Sequence, residues 1–483
     1  MNRQNFLGHL ALALTLVLVA AFAGQLRRWE RQRDYLPRKS AATPNRSVDV
    51  GPIRELRGPE VLVRFREGTS EASIKLIAER LNDNVEDQIE SVSGLVSIDD
   101  LDNADPQSVA DTYRQMTDLV EYAEPNNEIR LDPEFGKFSN APAPADESDD
   151  AAAENANNHP DDPMFDEQWS LQNTGQRSGK AKADINALLA WEKKTTGSED
   201  VVVAVLDSGV DYTHPDLHQN VWVRPINVEQ YYDEQFGYVD DEHGYDATTN
   251  SGDPMDENGH GTHCAGIIGA DGNNGIGIAG INWRVKILPL KFMSKGGFGT
   301  TKDAIEAINY VIERKKAGVN VRIISASWGS TAKSKALEDV IRKAGDEGIL
   351  FIAASGNASA NADRSPHYPA SYDLPNVISV AALNRNDELA SFSNYGAKRV
   401  HIAAPGAEIL STWLGGDFRE ASGTSMATPE VAGVAALILA AEPKLSMEAV
   451  RERLFKSVDK LPALEGKVST GGRLNAARAV GAE

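Results

Sequence analysis

Two hydrophobic rhythms divide this chain. Val61-Leu62-Val63-Arg64-Phe65 alternates as a half-buried strand does, and Leu95-Val96-Ser97-Ile98 predicts a second strand. Between them Ser70 stands as a cap ahead of Ile74, Ile77, Ala78 and Leu81, whose spacing predicts a helix over 70–81. Pro106 to Leu119 predicts another helix, and Val120 to Asn126 closes a small α/β unit. Past residue 200 the alternation stops. Val201 to Leu206 and Ile349 to Ala354 are unbroken apolar runs, the pattern of parallel strands buried on both faces. Val431 to Ala440 is apolar all round and predicts a buried helix.

Composition places the boundaries. The 483 residues exceed one ordinary core. Residues 132–160 are rich in Ala, Pro, Asn and acids, including Asp146-Glu147 and Asp149-Asp150, and predict an exposed linker. Phe6 to Ala23 is apolar behind Arg3, and Ala21-Phe22-Ala23 favours a signal peptide over 1–23. Its length, and Arg27, Arg28, Arg31 and Arg33 beyond it, argue for an uncleaved membrane anchor instead. Residues 24–50 then form a linker, 51–131 a first domain and 161–483 a second. The formal charge of −22 argues against nucleic acid and favours solubility. Cys264 is the sole cysteine, so no intramolecular disulfide forms.

Four short segments carry candidate chemistry. Gly423-Thr424-Ser425-Met426-Ala427-Thr428-Pro429 puts a serine at the start of the apolar helix, where N–H groups favour negative charge. A serine needs a base to become a nucleophile. Asp207 ends the run Val201–Leu206, although an Asp before Ser208-Gly209 is as often a turn former. His260 and His263 are both candidate bases. Together with Cys264 they are also zinc ligand types, but there is no second cysteine and no His-Glu-x-x-His spacing. Asn357 ends Ile349–Gly356 and could donate to an oxyanion or simply turn the chain. The order Asp207, His260, Ser425, with Ala427 in place of a final glycine, excludes the Gly-x-Ser-x-Gly hydrolase pattern.

Asp207-Ser208-Gly209-Val210-Asp211, His260-Gly261-Thr262-His263, Ser355-Gly356-Asn357 and Gly423–Pro429 together resemble the subtilisin-like serine proteases, the subtilases, of thermitase and subtilisin type. The likeness covers about Asp161 to Glu483. It implies an α/β fold: a mostly parallel sheet with helices on both faces, preceded by a small α+β, ferredoxin-like propeptide. It implies Ser425 as nucleophile, His260 as base, Asp207 as its orienting acid, and Asn357 with the Ser425 N–H as oxyanion hole. Substrate would lie as an added strand beside Val321–Ser330. Ser327, Trp328 and Gly329 with Ala354, Ser355 and Gly356 would flank the P1 pocket, Trp328 toward P4, and His367 near the pocket floor. Trp328 read simply as a residue is also a candidate core aromatic.

The same resemblance implies a structural calcium ion held by Asn274, the carbonyls of Gly272, Ile276 and Ile278, and the carboxylates of Asp216 and Asp162. The acid-rich loop Asp246 to Asp256 is expected to be solvated. Cys264 is expected to be a buried small hydrophobe. Glu430 stands where the family usually has His and is expected to add negative charge near the site. The implied protein is a secreted or envelope-associated endopeptidase acting on protein or peptide substrates. Its propeptide is an intramolecular inhibitor, and autoprocessing falls in or just before the linker, with Asp161-Asp162-Pro163 near the mature start. A non-catalytic scaffold would be favoured by loss of any site residue, and all four are present. An acyl transferase using the same acyl-enzyme, with an amine replacing water, is the third reading.

Overall fold

The computed structural model describes residues 60–132, 159–233 and 235–483. The apolar stretch Phe6–Ala23 and linker residues 133–158 lie outside the described residues. The first domain is an antiparallel sheet in the order Asp83–Gln88, Leu95–Asp100, Glu60–Phe65, Val120–Pro125. Helices Glu71–Arg80 and Pro106–Arg114 complete a β-α-β-β-α-β unit. Ser70 caps the first helix by accepting from the Ser73 N–H, and Asp105 with Pro106 starts the second. That second helix stops at Arg114, short of Leu119, because the chain turns back there through Val120 N–H to Met116 O.

Strand Asp83–Gln88 has no hydrophobic signature, since Asp-Asn-Val-Glu-Asp-Gln carries one apolar residue. Pairing with Leu95–Asp100 creates it, and contact with the second domain buries its acids. Lys302, itself buried, reaches Glu86 at 3.1 Å and Asp87 at 3.6 Å.

The second domain is built on a nine-stranded sheet. Its order is Asp459–Lys460, Gly472–Arg473, Ile402–Pro405, Val377–Leu383, Leu350–Ala354, Val321–Ala326, Gly197–Asp207, Arg284–Lys291 and Tyr245–Asp246. All neighbours pair in parallel except the first two. Side chains of one strand sort to opposite faces. Val203, Val205, Ile323 and Ile352 join the core around helix Thr424–Ala441. Val202, Ala204, Leu206, Ile324 and Phe351 join the core under helices Thr301–Lys316 and Lys335–Asp346. This two-sided burial explains the unbroken apolar runs.

The first domain seats on the second by capping those two helices. Asn127 O and Asn126 Oδ1 accept from Thr301 N and Lys302 N, each at 2.9 Å. The Glu124 carboxylate accepts from Lys335 N at 2.8 Å and Ala336 N at 3.0 Å. N–H groups that no helix can satisfy internally thus meet acceptors, and a carboxylate meets the positive end of a helix dipole.

Helix Thr424–Ala441 is long and apolar enough to cross a membrane, yet it is the buried core of this sheet. Within it Glu430 is fully buried and makes no close hydrogen bond, Ser170 being the polar side chain that approaches it. Burial pushes its pKa up to about 8. The expected negative charge is therefore absent at neutral pH: a carboxyl taken out of water keeps its proton. Raised above the ordinary 4.5, this group leaves stability full below pH 4.5, reduces it progressively between pH 4.5 and about 8, and adds no further loss above that. Glu430→Gln should flatten the fall in thermal stability between acid and alkaline pH, by on the order of 5 kcal/mol. Melting curves across pH, recorded with wild type and variant side by side, check this.

Candidate active site

The chain runs from Gly197–Asp207 to Arg284–Lys291 on one side, then returns to Val321–Ala326 on the other. Such a reversal opens a crevice at the carboxyl ends of the strands. Asp207 ends the first of these strands, Ser327 follows Val321–Ala326, and Ser355 and Asn357 follow Leu350–Ala354. The candidate residues are therefore gathered at one sheet edge by topology alone.

Asp207 Oδ1 meets His260 Nδ1 at 2.7 Å, with both side chains almost wholly buried. The same oxygen accepts the Ser208 N–H at 2.7 Å. A buried carboxylate at this distance fixes the ring's orientation. His260 opens the helix His260–Gly269, and Asp256 sets where that helix begins. Its carboxylate accepts from Ser208 Oγ, Thr262 Oγ1, and the N–H groups of Asn258, Gly259 and Thr262. Burial still raises the Asp256 pKa, with Thr262 the leading opposing contact. The sequence places Asp256 at the end of an acid-rich loop expected to be solvated, although Asp256-Glu257-Asn258-Gly259 has the form of an Asx turn.

The acidic loop is thus not the solvated surface expected. Asp246 and Asp256 are buried and taken up by internal donors, including Thr248 on Asp246. Of the three zinc ligand types, His263 is turned away from the other two. His263 Nε2 faces the carbonyls of Ile409 and Arg419, and burial lowers its pKa to about 3. Cys264 is fully buried, as expected, and its thiol points at Ser425 O, 3.6 Å away. Its Sγ and ligand atoms of Asp207 and His260 lie within 4.8 Å of one another.

Ser425 sits in the first turn of helix Thr424–Ala441. Pro429, inside that helix, has no N–H for the carbonyl four residues earlier, which is Ser425 O. The freed carbonyl accepts Ser327 Oγ at 2.8 Å, while Ser425 Oγ donates to Ser327 O at 3.0 Å. A missing helical hydrogen bond is thus replaced by a reciprocal tie between serine and strand. Asn357 Oδ1 accepts from Thr424 N and Thr424 Oγ1, both at 2.9 Å, which assigns Nδ2 as the donor end of the amide. A Cβ placed on Gly423 would stand 3.2 Å from Asn357 Nδ2 and 3.5 Å from Ser425 N. The glycine thus keeps a side chain out of the space next to Asn357 Nδ2 and Ser425 N. Asn394 holds the Asn357 loop by donating to Ser355 O and accepting from Ala358 N and Ala360 N.

The groove beside this space contains the chain's own segment. Glu128–Arg130 pairs antiparallel with Phe298–Thr300, and Arg130 bridges antiparallel to Gly329. Leu131 N donates to Gly297 O at 2.9 Å. The strand after the first domain was not foreseen, because three residues carry no periodic signal; only pairing on two sides defines it. Trp328 lies in the core, donating to Leu206 O and packed 4.7 Å from Phe292, in the cluster that also takes Ile129. With the tail in place the indole is 1% exposed, in keeping with its reading as a core aromatic. Gly329 and Gly356 pack against the His367 ring, and Ser327, Ala354 and Ser355, beside them in sequence, are buried.

On the far side of the Thr424–Ala441 helix start, Asp216 accepts from Asn274 Nδ2 and Ile278 N, and Asp162 from Asn273 N. Asp162 Oδ1 is buried with no hydrogen-bond partner among the described residues. Burial pushes Asp216 up to about 8, with Asp162 and Asp271 adding to the shift, and Asp162 up to about 6. Buried carboxylates with an unused oxygen fit a hard cation.

Residues 198–481 match the subtilase family, and residues 55–126 match the fervidolysin N-terminal prodomain. The chain is similar to a thermophilic serine proteinase of Bacillus sp. (strain AK1), 39% identical over 291 residues, 60% of this chain and 64% of that protein. It is also similar to subtilisin-like protease 2 of Plasmodium falciparum (isolate 3D7), 38% identical over 258 residues, 53% of this chain and 18% of that one. The chain thus spans less than two thirds of the length of these relatives. Among solved structures, a protease from Pseudoalteromonas arctica PAMC 21717 matches with a TM-score of 0.55 and 29% identity, over 67% of this chain and 99% of that one. Fervidolysin from Fervidobacterium pennivorans matches in fold with a TM-score of 0.66 and 23% identity, over 88% and 61%. With the family pattern spanning the whole sheet and the serine helix, and a family prodomain docked on it, this chain belongs to the subtilase family.

Proposed function

We propose that this protein is an endopeptidase made as an inhibited precursor, with Asp207, His260 and Ser425 as its triad. The observation that carries this is the buried Asp207–His260 pair beside the two-donor space at Gly423. In this reading His260 Nε2 takes the Ser425 hydroxyl proton as Oγ attacks the scissile carbonyl. The carbonyl oxygen, now negative, moves into the space between Asn357 Nδ2 and Ser425 N. Return of the proton to the leaving amine yields the acyl-enzyme, and water then hydrolyses it. Asp207 stabilises the imidazolium through Nδ1 throughout.

The tail Glu128–Arg130 supports inhibition by the first domain, since it occupies the strand position a substrate would take. The substrate class is protein or peptide, read largely through backbone. Export by residues 1–23, with a secreted or envelope-held product, is part of the same proposal. Calcium would be held by Asp162, Asp216 and Asn274 with the carbonyls of Gly272, Ile276 and Ile278, and would neutralise the buried carboxylates there.

Ser425→Ala should leave the precursor at full length and abolish labelling by a fluorophosphonate, while the wild type shortens; a precursor that shortens in both would sink the autoprocessing reading. Asn357→Ala should lower kcat about 10²–10³-fold with little change in KM, the scale found for the oxyanion amide of subtilisin. Adding calcium to metal-depleted protein should raise Tm in proportion to the logarithm of its concentration, and Asp216→Asn should remove that rise.

A further inference from the structure

Beyond the triad, the crevice beside Ser425 holds a group of the wrong polarity for an apolar pocket. His367 is buried, and its ring lies between two glycine backbones. A Cβ on Gly329 would collide with its Nε2 edge, and one on Gly356 would come within 3.0 Å of Cγ. The backbone fixes the ring from behind: His367 N donates to Ser371 Oγ at 3.1 Å, and Ser371 N donates to His367 O at 2.9 Å. Tyr368 and Ser330 exchange backbone hydrogen bonds at 2.7 Å each, tying this segment to the groove strand.

Into this crevice the tail sends Asp132. The register places it there: Ile129 is buried in the cluster with Trp328, Arg130 faces Gly329, and Leu131 bonds Gly297. Asp132 Oδ2 then lies 3.3 Å from His367 Nε2, with the two side chains 17% and 9% exposed. Neither atom has a hydrogen-bond partner elsewhere among the described residues. An imidazole N–H and a carboxylate, both largely out of water, are thus left to each other. The chain's overall charge of −22 repels acidic peptides, so any preference for one has to be supplied locally.

We propose that His367 makes this protease select an acidic side chain, aspartate above all, at P1, the residue immediately before the cleaved bond. Asp132 is the chain's own occupant of that pocket. The inference rests on the endopeptidase reading above and adds the substrate class to it. Aspartate is favoured over glutamate because the short side chain of Asp132 already brings its carboxylate to 3.3 Å from His367 Nε2.

The test uses the full chain after it has matured, with active sites counted by fluorophosphonate labelling. kcat/KM is measured for Ile-Arg-Leu-Asp-p-nitroanilide and for the same peptide ending in Asn or Leu. Asp and Asn have one shape and differ in charge, so their ratio isolates the His367 contact. A ratio of about 10- to 100-fold in favour of Asp is expected, the range of a hydrogen bond to a charged group. In His367→Gln and His367→Gly the ratio, measured within each variant, should fall toward one. Casein hydrolysis with no preference for Asp over Asn in the wild type overturns this inference alone, whether or not either variant folds. So does a ratio unchanged in a variant that labels. Absence of casein hydrolysis and of labelling overturns the endopeptidase reading itself, and this inference with it.

Discussion

A helix that is apolar on every side can sit only where every side is covered. Thr424–Ala441 meets that requirement by lying across the buried face of the parallel sheet, among Val203, Val205, Ile323 and Ile352. Its position then decides the rest. The first turn, with Ser425, ends up over the carboxyl ends of the strands, where Asp207 and Asn357 are delivered. Hydrophobic burial therefore sets the placement of the polar site. No single polar contact is strong enough to do so, because a hydrogen bond contributes only about 1 kcal/mol net.

Pro429 shows how a local defect becomes a constraint. It removes a helical bond from Ser425 O, and the Ser327 hydroxyl takes its place. The serine, the groove strand that follows Val321–Ala326, and the helix are thereby held as one unit. Gly423 contributes by what it lacks, since a methyl group there would fill the space between Asn357 Nδ2 and Ser425 N. Precision of this kind matters because preorganised donors act only at the position the oxyanion takes.

The prodomain is held by complementary means. It offers carbonyl and carboxylate acceptors to the N-termini of Thr301–Lys316 and Lys335–Asp346, and buries Glu86 and Asp87 against Lys302. A surface that caps two helices leaves its following strand aimed along the groove, between Phe298–Thr300 and Gly329. Docking and occupation of the groove are thus a single geometric arrangement.

The main strands, the serine helix and the residues Asp207, His260, Asn357 and Ser425 were legible in the sequence. Each stands in a segment whose apolar run or glycine punctuation has one local physical solution. Strand Asp83–Gln88 was not legible, because its stability comes from its partner strand and from Lys302. Asp256 was missed for a similar reason: its five donors converge only after the chain folds. The charge expected at Glu430 was overturned by burial, which depends on the packing around a residue and not on its type. What the sequence determined alone was which segments must be buried and which residue types meet at the strand ends. Only the tertiary structure decided where Asp132 lies, what fills the crevice beside it, and which carboxyls keep their protons. Those outcomes depend on neighbours far apart in the chain, and distance in space is what a one-dimensional pattern does not contain.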